Sequence, residues 1–456
     1  MPINPKIFKA YDIRGLAPQE LDADAAYRIG QAVVKFTGAA TVVVGKDMRG
    51  TTPELFEALA RGIMGQGADV IDIGRVTTPM FYFAVGHYEL HDAGVMVTAS
   101  HNPAEYNGMK LCFGDVVPIG GNNGMGAVRD LALAGPYPER PSGTMVTADV
   151  KADYFAKLFE RIDPKAIAPL KAVVDAGNGM EGEIIRDFFA ALPQVEMSGM
   201  YLEPDGTFPN HEANPLKTET LDDLRAAVRD SRADVGFAFD GDGDRMGLID
   251  ELGNVVPGDI LLALMAERLL RDHPGETIAY TVNCSMTVAE AVERAGGKLI
   301  MTPVGHGLIK PIMREHGALF GGEISYHYYF RDMFTSESTD LMVLLVLQMM
   351  TEEGKPLSEI LAPYRRYHQS EEINSEVADK DAVLAALGAK YAPLASKVVT
   401  IDGVRMEFMS SADPDEHWWF NVRASNTEPL LRLKLEAKTA AALHARTEEL
   451  LALIRA

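Results

Sequence analysis

One pattern recurs through this chain and limits its fold more than any other feature. A short apolar run ends in a polar, turn-forming loop, and a helical stretch follows. "TVVVG" (Thr41–Gly45) and "ADVIDIG" (Ala68–Gly74) flank "TTPELFEALARGIM". There Thr52 is the expected N-cap, Pro53 the first helical residue and Gly67 the stop. Leu55, Leu59 and Ile63 share one helix face. The pattern returns at "AGVMV" (Ala93–Val97), "KAVVDAGNGM" (Lys171–Met180), "ADVGFAFD" (Ala233–Asp240), "TIAYTVNCS" (Thr277–Ser285) and "KLIMTPVGHG" (Lys298–Gly307). Repeated strand–loop–helix units predict α/β architecture. A chain of 456 residues also exceeds what one hydrophobic core holds. After about Arg366 the character changes to hairpin strands, "VVTIDGVRMEFM" and "HWWFNVRAS", and a closing helix from about Thr439 to Ile454.

The expected organisation is therefore three related α/β mixed-sheet domains and a smaller C-terminal α+β domain around a central cleft. The breaks fall near "GPYPERPSG" and "DELGNVVPGD", giving 1–145, 146–252, 253–366 and 367–456. In open α/β sheets ligands gather at the carboxyl ends of strands. The polar loops that end the apolar runs are thus the place to look for chemistry.

Charge narrows the ligand. The formal net charge is −22, and no run of lysine and arginine occurs, which argues against a nucleic-acid partner. A phosphate ligand would need its own local cluster of cations. No segment approaches the roughly 18 apolar residues of a membrane span, and the N-terminal segment lacks a signal-peptide core. Two cysteines, Cys112 and Cys284, form no spaced metal cluster, so the expected setting is the cytoplasm. With no apolar interface evident, a monomer is the default expectation.

The loop "FAFDGDGDRMG" places Asp240, Asp242 and Asp244 directly after an apolar strand, separated by glycines. Three adjacent carboxylates repel one another unless a cation sits among them. Oxygen ligands favour a hard divalent ion, Mg²⁺ or Ca²⁺. An EF-hand is excluded because its sixth position is Arg245 rather than glycine. Three carboxylates leave an octahedral Mg²⁺ short of ligands, and phosphate oxygens commonly complete its shell.

The loop "TASHNP" holds Ser100 and His101 without the G-x-S-x-G elbow of a hydrolase. Adjacent side chains diverge in extended chain, so the pair does not read as nucleophile and base. Ser100 reads instead as a phosphoryl carrier and fourth metal ligand, with His101, Asn102 and Lys110 as donors. In "GGEISYHYYFRD", Glu323, Ser325 and His327 alternate, as if on one side of an extended segment. A carboxylate beside a hydroxyl suits vicinal sugar hydroxyls, and His327 suits proton exchange. In "NVRASNTEP", Arg423, Ser425, Asn426 and Thr427 offer a phosphate cradle. Arg14, Lys110, Arg245, His306 and Lys310 complete the cationic cluster, with Tyr11 beside Arg14.

"YDIRG", "TASHNP", "DGDGDR", "GEISYH" and "RASNTEP", in this order and at domain-sized spacing, resemble the signature loops of the α-D-phosphohexomutases. The resemblance is to the phosphomannomutase/phosphoglucomutase branch. It implies a four-domain enzyme that interconverts hexose 1- and 6-phosphates through phosphoserine and a hexose 1,6-bisphosphate, which also serves as activator. It further implies Ser100 as phosphoserine, Asp240, Asp242 and Asp244 as Mg²⁺ ligands, and Glu323 and Ser325 on the sugar hydroxyls. Arg423, Ser425, Asn426 and Thr427 would hold the phosphate that is not transferred. Lys110 and His327 would be acid and base, Arg245 would stand near the reaction centre, and Tyr11 and Arg14 would support the serine loop. Phosphoglucosamine mutases usually carry serine at the position of Thr98 and glycine at that of Asn426, so the hexose enzymes are favoured. Tyr326 stands where many dual-specificity members have glycine, which bears on the sugar preferred. A sugar phosphatase using the same serine, or a sugar-phosphate-binding protein without turnover, are the remaining alternatives.

Overall fold

A computed structural model describes residues 3–88, 91–424 and 430–456, the side chain of Asn122 apart. Four sheets follow one another along the chain. The first orders its strands Ile13–Leu16, Tyr106–Phe113, Ala93–Val97, Thr41–Lys46, Asp69–Arg75, Met145–Thr147. The second runs Val255–Val256, Met246–Asp250, Val235–Phe239, Leu170–Asp175, Val195–Met200. The third runs Lys298–Thr302, Thr277–Thr281, Phe320–Gly322, Tyr328–Phe330, Ser336–Glu337.

These three sheets share one construction. Each has a parallel part joined to an antiparallel part, and one loop crosses the junction. Ala93–Val97 is parallel to Thr41–Lys46 and antiparallel to Tyr106–Phe113. Val235–Phe239 is parallel to Leu170–Asp175 and antiparallel to Met246–Asp250. Phe320–Gly322 is parallel to Thr277–Thr281 and antiparallel to Tyr328–Phe330. The three junction loops are those of Ser100, of the aspartates and of Glu323. The sequence pattern therefore singles out structurally equivalent points.

The fourth sheet is antiparallel throughout, centred on Trp418–Ala424 and Leu430–Ala437. The helix Ala440–Ile454 closes it, as expected, and Thr439 is its N-cap. One apolar core runs through the first three units, uniting Phe81, Tyr154, Phe188, Phe237, Leu262 and Phe320. The C-terminal unit keeps its own core around Trp418, Phe420, Leu433 and Leu450.

Two local expectations need correction. The second helix of the chain spans Thr52–Met64 with Thr51, not Thr52, at the N-cap. The Thr52 hydroxyl is occupied, donating to Asp47 Oδ1 at 2.6 Å. The helix stops at Gly65, and Gly67 forms the turn beyond it with φ +88°. The segment 323–327 is a turn rather than extended chain, closed by Glu323 N–H donating to the His327 carbonyl at 3.1 Å. Tyr326 takes φ +69° there, a left-handed conformation that interrupts the alternation.

Candidate active site

The Ser100 loop is held from below by a residue that sequence reading passed over. The Arg49 guanidinium, 1% exposed, donates to four carbonyls: Ser100 at 2.8 Å, Asn102 at 2.6 Å, Pro103 at 2.7 Å and Tyr106 at 3.0 Å. Asp47 balances its charge at 3.2 Å. A loop turning back on itself aims its carbonyls inward, and the planar fork satisfies them together. Ser100 itself sits at φ +49°, with its N–H donating to Thr98 Oγ1 at 2.9 Å. That conformation costs about 1–3 kcal/mol in a non-glycine residue. Arg49 and Thr98 hold it in place.

From this position the Ser100 hydroxyl donates to Asp240 Oδ2 at 2.7 Å, joining the first unit to the second. It also lies 3.1 Å from His101 Nδ1. A side chain at Gly241 would place its Cβ 2.4 Å from the Ser100 carbonyl oxygen, so the two loops meet only because residue 241 is glycine. Gly243, at φ +73°, turns the chain so that Asp242 and Asp244 converge.

All three aspartates are fully buried, and one ligand atom from each lies within 4.8 Å of the others. Burial first, then the Asp242 and Asp244 charges, pushes the Asp240 carboxyl well above the usual range, against the pull of Arg245 and Lys110. Lys110 Nζ reaches Asp242 Oδ2 at 2.7 Å and also contacts Asp244. Burial alone would lower the lysine, but Asp242, Asp244 and Asp240 outweigh it and hold it charged. Asp242 Oδ1 and Asp244 Oδ1 remain buried without a hydrogen-bond donor. The Lys110 ammonium and the Arg245 guanidinium, 4.0 Å from Asp240 Oδ2, against three carboxylates still leave net negative charge and empty oxygen valence, which fits a hard divalent cation.

The third loop closes over this centre. The Arg245 backbone N–H donates to Asp240 Oδ1 at 3.2 Å, and its Nε–H donates to His327 Nε2 at 3.1 Å. His327 Nε2 is therefore unprotonated, and the ring proton sits on Nδ1, facing Asp244 Oδ1 at 3.5 Å and Glu337 Oε1 at 3.8 Å. Burial, then Arg245, Lys110 and Lys310, keep His327 well below its ordinary pKa. Burial lowers His101 and His306 in the same way. Glu323 accepts from Gly305 N–H at 3.1 Å and from the Tyr329 hydroxyl at 2.5 Å. Burial nevertheless raises its carboxyl to about 7.

These loops face one cleft of about 880 Å³, whose walls include Tyr11, His101, Arg245, Glu323, Ser325 and Arg423. Arg14 stands behind His101, hydrogen-bonded to Asn102 Oδ1 and paired with Asp12. Tyr11 donates to the Val304 carbonyl at 3.1 Å and lies beside the His306 ring. Lys310 lies beneath the cleft instead. It is fully buried, 2.5 Å from Glu337 Oε2 and 3.8 Å above the Tyr82 ring. On the far wall Arg423 and Arg432 both donate to Glu372, at 2.9 and 3.0 Å, with Lys434 nearby. Arg432 and Lys434 alternate along Leu430–Ala437, a strand signal that sequence reading left unused. Ser425, Asn426 and Thr427 lie outside the described residues.

The chain matches the phosphoglucomutase/phosphomannomutase family in four consecutive blocks. Alpha/beta/alpha domain I covers residues 5–125, domain II 152–253, domain III 257–367 and the C-terminal domain 372–453. It belongs to that family. It is 40% identical to a phosphomannomutase of Salmonella montevideo, with 99% of each chain covered. It is 39% identical to phosphohexose mutases of Xanthomonas campestris pv. campestris, covering 98% of this chain and 99% of the relative. Among solved structures, a phosphoglucomutase/phosphomannomutase family protein from Burkholderia thailandensis superposes with a TM-score of 0.90 at 35% identity, covering 98% of this chain and 97% of that one. The four-unit α/β fold expected from the sequence is the fold of this family. Among the described residues no helix is long and apolar enough to cross a membrane.

Proposed function

We infer that this chain interconverts hexose 1-phosphates and hexose 6-phosphates, with Ser100 as the phosphoryl carrier. Mannose is the first sugar of the pair, after the phosphomannomutase relatives, and glucose the second. The observation that carries the reading is the 2.7 Å contact of Ser100 with Asp240 beside the buried aspartates, opposite a separate cationic wall at Arg423. A mutase must hold one phosphate while it moves another, and these are two positions for phosphate in one cleft. A phosphatase needs only the first.

In this scheme the free hydroxyl of a bound hexose monophosphate attacks the phosphorus on Ser100. The phosphorus–Oγ bond breaks as the new phosphorus–sugar oxygen bond forms. His327 takes the hydroxyl proton at Nε2, and a proton is returned to Ser100 Oγ. The Nε2 lone pair accepts from Arg245 Nε–H in this structure and is freed as Arg245 turns to the phosphoryl oxygens. The product is a hexose 1,6-bisphosphate and free serine. The bisphosphate reorients, and the same steps in reverse return its other phosphate to Ser100. Arg245 and Lys110, whose charge the neighbouring aspartates favour, neutralise the oxygens in flight. Glu323 and Ser325 hold the sugar hydroxyls, while Arg423, with Ser425, Asn426 and Thr427, grips the phosphate that stays.

Asp240, Asp242 and Asp244, joined by the Ser100 phosphoryl group, are the residues proposed to hold Mg²⁺. Bound there, Mg²⁺ supplies Lewis-acid stabilisation of charge on the serine oxygen. The test is Ser100→Ala, which is expected to lower mutase turnover by at least ~10³-fold while sugar-phosphate binding persists. Turnover near that of the unaltered protein, or phosphoryl labelling elsewhere in the chain, would overturn the scheme.

A further inference from the structure

The metal-holding loop is gripped from the first unit at a residue that neither the motif nor the reaction scheme uses. Thr78 is the first residue of the helix Thr78–His87, and it is fully buried. Its N–H donates to the Asp242 carbonyl at 2.8 Å, and its hydroxyl donates to Asp242 Oδ2 at 2.7 Å. Lys110 approaches the same Oδ2 at 2.7 Å. Both partners of the Asp242 carboxylate are therefore on one oxygen, and Oδ1 is left buried without a donor. Two donors on one carboxylate oxygen oppose rotation about χ2, while the bond to the carbonyl fixes the backbone that carries it. The free oxygen is committed to whatever the aspartates hold.

The remainder of the loop is held just as closely. A side chain at Gly243 would place its Cβ 3.1 Å from Thr77 Cγ2, and the Gly243 carbonyl accepts from Thr339 Oγ1 at 2.7 Å. Thr78 can donate because it stands in the first turn of a helix, where backbone N–H groups have no partner within the helix. An alanine or valine there would keep the helix and the backbone bond. Only the hydroxyl bond to Oδ2 would go.

We propose that Thr78 is a positioning residue for Asp242 and thereby sets the affinity of the aspartate loop for its divalent cation. The inference rests on the reading of Asp240, Asp242 and Asp244 as that cation's ligands. Outer-shell partners of this kind fix ligand orientation, and their loss typically lowers metal affinity by about 10- to 100-fold. The cation site then belongs to two units at once. Ser100 and Thr78 come from the first, and the aspartates come from the second.

The test is titration calorimetry with Mn²⁺ alone, without sugar, on the full-length protein and on Thr78→Val, Thr78→Ala, Thr78→Ser and Asp242→Asn. Thr78→Val and Thr78→Ala are expected to weaken Mn²⁺ binding by about 10- to 100-fold, and Thr78→Ser, which keeps the hydroxyl, by no more than about threefold. Circular dichroism in EDTA at the titration temperature should show all three Thr78 variants folded, which separates a cation effect from a folding effect. Unchanged affinity in whichever of the valine and alanine variants folds would overturn the inference. So would a serine variant as weak as the valine one. Mn²⁺ binding absent from the unaltered protein, or undiminished in Asp242→Asn, would overturn the reading of the site itself.

Discussion

At the scale of single residues, the site depends on a side chain that touches no reacting atom. Arg49 satisfies four carbonyls of the Ser100 loop, and no lysine can reproduce that, having three donors on one nitrogen. Arg49→Lys keeps the charge that Asp47 needs but frees the loop to shift. Turnover is expected to fall by about 10-fold or more, because small losses of alignment at a transferring phosphoryl group are costly. KM for the sugar phosphate should move little, since the cationic wall at Arg423 lies on another unit. Steady-state kinetics at saturating Mg²⁺ separates the two. A change confined to KM would mean that Arg49 serves binding instead. Arg49 was not legible in "GKDMRGTTP", because its partners are carbonyls that only the folded loop brings together.

At the scale of elements, the three strand-ending loops were legible because strand, glycine and polar run repeat locally. Their equivalence was not, since it depends on where parallel pairing gives way to antiparallel. The alternation of Glu323, Ser325 and His327 matched a strand, yet Tyr326 turns the chain at φ +69°. Lys310 read as a phosphate cation, but its partner Glu337 is a sequence neighbour of none of the motifs, so its place beneath the cleft was hidden. The junction loops also carry a sharp steric demand. A Cβ at residue 241 would stand 2.4 Å from the Ser100 carbonyl oxygen, so Gly241→Ala must drive two backbones apart. Overpacking of this kind costs about 1–3 kcal/mol of stability. Displacing serine from the aspartates by about 1 Å costs about 100-fold in turnover. Thermal unfolding and turnover on the same preparation check both, and a fully active Gly241→Ala would contradict the close approach of the two loops.

At the scale of the whole molecule, the C-terminal unit is docked on the third by buried polar contacts. Arg405 donates to the Val282 and Cys284 carbonyls at 2.6 and 2.8 Å, and Val304 N–H donates to Asp402 at 3.0 Å. Glu436 Oε1 accepts from Met286 N–H at 3.0 Å and from Trp419 Nε1–H at 2.8 Å. Burial raises the Glu436 carboxyl to about 6, with the nearby Asp259 charge adding to the rise and Ser285 and Trp419 opposing it. A carboxyl raised in the fold binds its proton more readily there than in the unfolded chain. Its stabilising effect is full below about pH 4.5 and is lost as pH rises through about 6, a change of about 2 kcal/mol. Glu436→Gln keeps the acceptor oxygen and removes the charge, so this part of the pH dependence should vanish. Both tryptophans of the chain, Trp418 and Trp419, lie buried in the C-terminal unit. Their fluorescence during urea unfolding therefore reports the unfolding of this unit in particular. Between pH 4.5 and 7.5 the unaltered protein should lose about 2 kcal/mol more than Glu436→Gln in that transition. Parallel curves for the two proteins would assign the titration to another group, and the docking of the C-terminal unit would then be insensitive to the Glu436 charge.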